Sequence, residues 1–139
     1  MAKICKKVSN KTQVKIVPVV SALDAGEIMM KTNSEVWLQD VDEIFEGAAT
    51  GSISPIKAKS LGVGGTLLNH SERRKKPGTI KKMLSIWPKG FKVAVCLNSL
   101  GQAEGWACLL YTSDAADDLL CVDLGGRRVI KQKKTHIKK

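Results

Sequence analysis

The sequence predicts an α+β fold: a small mixed fragment with an edge strand, about three short helices and a late strand. Three observations carry that expectation. A β-branched run lies near the start, amphipathic segments with start and stop residues fill the middle, and apolar residues alternate between Phe91 and Leu97.

Residues 1–12, MAKICKKVSNKT, are basic and polar with no apolar period, and read as a mobile basic arm. Residues 13–20, QVKIVPVV, favour a strand through Val14, Ile16 and their neighbours. Pro18 offers no N–H to a ladder, so the strand is placed at an edge. Residues 21–31 receive no element. Thr32 followed by Glu35 has the spacing of a capping box, and Val36, Trp37, Val41, Ile44 and Phe45 recur at helical intervals. A helix is therefore expected over about 33–46, with Gly47 ending it and Glu35, Asp40, Asp42, Glu43 and Glu46 on an acidic outer face.

Ser54 before Pro55 marks a second helix that stops near Gly62. The two would form a helical hairpin, with a looser likeness to a DNA-reading helix-turn-helix pair. Gly62, Gly64 and Gly65 are half of a phosphate-loop pattern but lack its lysine, so they read as a flexible turn. His70 has no visible partner and reads as a turn residue. Thr79 caps a third helix carrying Ile80, Met83, Leu84 and Trp87, with Pro88 ending it, and Phe91, Val93, Val95 and Leu97 form the late strand. Residues 13–107 are thus taken as one small α+β domain, whole or truncated.

The 139 residues carry a net charge of +10. Residues 1–107 hold sixteen basic and nine acidic side chains, which leaves +7 there. Arg73, Arg74, Lys75, Lys76, Lys81, Lys82, Lys89 and Lys92 come without an intervening acid. Clustered cations of this kind release counterions on contact with phosphates, so the favoured function is a small nucleic-acid-binding module using these eight residues. The alternative is a structural or protein-interaction module with one acidic and one basic face. No catalytic set can be assembled from His70, Cys5, Cys96 and the scattered carboxylates, and no cofactor or metal spacing is present. No signal peptide or apolar run of membrane length is found, so a soluble, intracellular protein is expected.

The C-terminal residues read differently. CLLYTSDAAD, from Cys108, and CVDLGGRR, from Cys121, resemble the in-frame translation of a transposon-library sequencing adapter, a contaminant and not a protein family. The resemblance implies that residues 108–139 are a non-native, disordered tail outside the fold. It also implies that Cys108, Cys121 and the lysine-rich end have no function. Residues 1–107 suggest no family by themselves.

Overall fold

The structure is a computed structural model that describes residues 2–99, 102 and 119–123. Strands and helices alternate along the chain. α1 (Ala2–Thr12) is followed by β1 (Val19–Val20), α2 (Ala22–Thr32), β2 (Trp37–Leu38), α3 (Pro55–Ser60), β3 (Gly65–Leu68), α4 (Pro77–Ser85), β4 (Lys92–Leu97) and β5 (Leu119–Asp123). All five strands are parallel, and their order in the sheet is their order in the sequence. This is an α/β architecture, which corrects the expected α+β class. Parallel neighbours need a crossover between them, and α2, α3 and α4 supply it from β1 to β4.

The error lay mainly in residues 32–46. Ser21 caps α2 by accepting the Leu23 N–H, and Asn33, at φ 45°, ends it by donating its N–H to Met29 O at 2.9 Å. Thr32 therefore closes one helix and does not open another. Val36, Trp37 and Leu38 then form a continuous buried apolar run, which is how a strand covered on both faces reads. The Trp37 N–H donates to Pro18 O and the Gln39 N–H to Val20 O, each at 3.0 Å, fixing β2 against β1. With β2 in place of the first expected helix, the hairpin and helix-turn-helix readings fall together.

The remaining elements lie closer to expectation. Ser54 accepts from the Lys57 N–H and Pro55 occupies the first turn of α3. α4 begins at Pro77, two residues before Thr79, with Lys76 at its N-cap. Residues 2–12, expected as an unstructured arm, form α1, which buries none of its residues. Leu119–Asp123, assigned by the sequence reading to a disordered tail, pairs with β4 from Val93↔Leu119 to Leu97↔Asp123. The rest of 108–139 lies outside the described residues.

Strand register divides the side chains between two faces. Leu38, Thr66 and Val93 share one register line and Leu68 and Val95 another, all on the face that packs against the helices. Val41, Ala58, Ile80, Met83 and Leu84 complete that core. Trp37, Gly65 and Lys92 share the opposite face. A Cβ on Gly65 would lie 2.7 Å from both Lys92 O and a Trp37 ring carbon, and one on Gly64 would strike Glu35. These glycines allow close packing between strands and are not a flexible turn.

Candidate active site

β1 to β4 each end in apolar residues and are followed at once by polar ones: Ser21 after β1, Gln39 and Asp40 after β2, Asn69 and His70 after β3, and Asn98 after β4. The carboxyl ends of parallel strands are where α/β sheets place their binding groups. A depression of about 720 Å³ opens at this edge, lined by Ser21, Gln39, Asp40, His70, Glu72 and Arg73 among others.

The loop after β3 is tied down at several points. Asn69 is buried with φ 62°. Its Nδ2 donates to Cys96 O at 2.8 Å, and its Oδ1 accepts the Lys75 N–H at 3.0 Å, so the two ends of the loop meet across one side chain. The Arg73 N–H donates to His70 O at 2.9 Å and closes a tight turn. Within that turn the Glu72 N–H donates to His70 Nδ1 at 3.4 Å. The Glu72 carboxylate lies 3.6 Å from the same nitrogen, outside hydrogen-bond distance, and is 89% exposed. In the backbone contact Nδ1 is the acceptor, which corresponds to the tautomer in which Nδ1 carries no proton and Nε2 is the donor.

The basic run is consumed internally. Arg73 reaches Asp40 Oδ2 at 3.0 Å and Asp42 Oδ1 at 2.5 Å. Lys75 reaches Asp40 Oδ2 at 2.8 Å. Arg74 bonds to Asn69 O at 3.0 Å and to the Asn98 side chain. Elsewhere, Lys92 meets Glu35 at 3.2 Å near the opposite, amino-terminal end of the sheet, while Lys76, Lys81, Lys82 and Lys89 are exposed. The eight residues expected to act together are thus divided among an internal ion-pair network, a second cluster and open surface. Trp87 and Phe91 stack with centroids 5.6 Å apart, and the Trp87 indole N–H donates to Phe91 O, so these rings serve packing.

The Glu35 cluster is the other electrostatic feature. Burial raises its carboxyl, but hydrogen bonds from Lys15, Trp37 and Lys92 outweigh that and hold it at about 2. Burial pushes the Cys96 thiol up, away from nucleophilic character. Among the described residues no group of His, Cys, Asp and Glu side chains is arranged to hold a metal ion. No helix among them is long and apolar enough to cross a membrane.

Comparison with known proteins adds the decisive observation: the family model for triosephosphate isomerase matches residues 1–106. The chain belongs to the triosephosphate isomerase family. The triosephosphate isomerase of Metallosphaera sedula is 35% identical over 99 residues, covering 70% of this chain and 43% of that protein. Those of Methanothermus fervidus and Methanocaldococcus jannaschii are 33% and 32% identical over 110 residues, covering 78% of this chain and 50% of each protein. The chain spans about half the length of the curated relatives it matches.

Membership in the triosephosphate isomerase family corrects four expectations. Residues 1–106 are a protein-family region, so the expectation that the chain's one likeness is to an adapter at residues 108–139, with no family for residues 1–107, is overturned. The nucleic-acid-binding module, its nucleic-acid partner and the alternative of a non-catalytic structural or protein-interaction module give way to similarity with a named enzyme. The signal that sequence reading missed was positional. Every polar candidate directly follows an apolar strand, but the strand preceding His70 was read as a flexible turn.

Proposed function

We propose that this chain supplies part of a triosephosphate isomerase active site, with His70 as the electrophile that polarises the substrate carbonyl. The observation that carries the reading is the Glu72 N–H on His70 Nδ1, which leaves Nε2–H as a donor at the carboxyl edge of the sheet. Triosephosphate isomerase is itself the standard worked case of a carboxylate base acting with a neutral imidazole. Proton removal beside a carbonyl builds negative charge on the carbonyl oxygen, and a fixed N–H donor stabilises that charge as it develops.

Asp40 and Asp42 are engaged with Arg73, and Glu72 projects into solvent. None of these three is disposed to act as the base. In this proposal the base belongs to the part of the family's length that this chain does not span. The sequential parallel βα units are consistent with a contiguous portion of a βα barrel, whose reacting groups gather at the same edge.

The test is a chimera in which residues 1–106 replace the matching segment of the Metallosphaera sedula relative, assayed for triose phosphate isomerisation. His70→Gln is expected to lower kcat by roughly 10²- to 10⁴-fold with little change in KM. An active chimera that tolerates His70→Gln without loss of kcat overturns the assignment.

A further inference from the structure

His70 needs more than its own turn to hold its tautomer, because Ser71, Glu72 and Arg73 are all exposed. The turn's outer end is the Arg73 side chain, whose guanidinium spans two carboxylates from the loop after β2: Asp40 at 3.0 Å and Asp42 at 2.5 Å. Asp42 is itself anchored. Its Oδ2 accepts the Ile53 N–H at 2.7 Å, and its own N–H donates to Ile53 O at 2.8 Å. Asp40 is 11% exposed at its side chain. Its Oδ2 takes both Arg73 and Lys75, while Oδ1 is buried and has no hydrogen-bond partner among the described residues.

We propose that Asp40 is a positioning residue for His70, acting through Arg73 to fix the turn that presents the Glu72 N–H to Nδ1. This rests on the reading of His70 as the electrophile and extends it to the preceding βα unit. Planar guanidinium suits the role because its in-plane N–H donors, on Nη1 and Nη2, meet two acceptors in a set geometry. The Arg73 N–H on His70 O and the Arg73 fork on Asp40 and Asp42 fix both ends of one residue. The intervening Glu72 peptide then has little freedom to turn away.

The test is ¹⁵N NMR of the imidazole in the full chain at about pH 8.5, where an ordinary imidazole is neutral, with His70→Gln identifying the resonances against His136. The parent is expected to show a single Nε2–H tautomer. In Asp40→Asn the Nδ1 resonance should move towards the position averaged over both tautomers, and Asp40→Glu should restore it. Lys75→Met removes the other cation on Asp40 but leaves the fork, and should leave the tautomer as in the parent. Circular dichroism checks folding; should Asp40→Asn unfold, Arg73→Gln replaces it, with Asp40 still paired to Lys75. An unmoved tautomer in the folded Asp40→Asn or Arg73→Gln protein overturns the positioning role, as does an equal shift in Lys75→Met. An Nδ1–H tautomer in the parent overturns instead the reading of His70 on which the role rests.

Discussion

Asn69 and Lys75 stand six residues apart, yet the Asn69 Oδ1 accepts the Lys75 N–H at 3.0 Å, so one buried amide joins the two ends of the loop that carries His70. The same side chain donates to Cys96 O on β4. Loop closure and one attachment to the sheet therefore meet at a single residue.

Asn69→Ala is expected to destabilise the chain by about 2 to 4 kcal/mol, since two buried hydrogen bonds are lost and the φ of 62° becomes strained. Asn69→Gly should cost less, because glycine accepts that φ. Urea unfolding followed by circular dichroism measures both. Equal losses would show that backbone conformation contributes little.

Gly65→Ala places a methyl group 2.7 Å from the Lys92 carbonyl oxygen and the Trp37 ring. Neither neighbour is the far end of a flexible chain, so β2, β3 and β4 must separate. A loss of about 1 to 3 kcal/mol in urea unfolding is expected, with altered Trp37 fluorescence. Gly78→Ala, where no atom lies within 4 Å of the added carbon, is the neutral comparison.

Glu35 gives the chain an acid-sensitive component. Its folded value of about 2 lies below the ordinary 4.5, so the unfolded chain takes up its proton first as pH falls. The contribution is fully present above about 4.5 and is lost between there and about 2. Glu35→Gln should reduce stability at neutral pH by about 1 to 2 kcal/mol, a value tempered by the exposure of Lys15. It should also flatten the stability profile across that interval. A parent and variant with parallel profiles from pH 5 to pH 2, to within about half a kcal/mol, would show the cluster to be inert.

Asp40→Ala leaves Lys75, only 11% exposed at its side chain, without a carboxylate, and frees one arm of Arg73. Loss of one member of a largely buried pair costs about 3 kcal/mol. Thermal unfolding should show this, while Glu72→Ala, removing an 89% exposed carboxylate, should change little.

The legible parts of the sequence were those where local chemistry and tertiary environment agree. Ser54-Pro55 marks a helix start wherever it stands, Pro88 ends one, and the alternation from Phe91 to Leu97 holds for a strand between two others. The segment from Thr32 to Phe45 was misread because a two-residue buried strand has no period of its own. Trp37 and its apolar neighbours Val41 and Phe45 happen to fall at helical spacing. The site was harder still. The role proposed for His70 rests on an N–H two residues away and a strand edge it shares with Gln39 and Asp40, none of which leaves a mark on spacing. The charge of Arg73, Arg74 and Lys75 was plain, but its side-chain partners lie 24 to 35 positions away in the chain.

Because the strands stand in the sheet in the order in which they are encoded, each newly made βα unit has its docking surface already in place behind it. No strand must wait for a later one to be inserted between it and its predecessor. Synthesis from the amino terminus can therefore proceed as stepwise templated growth, with the His70 turn able to lock only once β4 has emerged to offer the Cys96 carbonyl to Asn69.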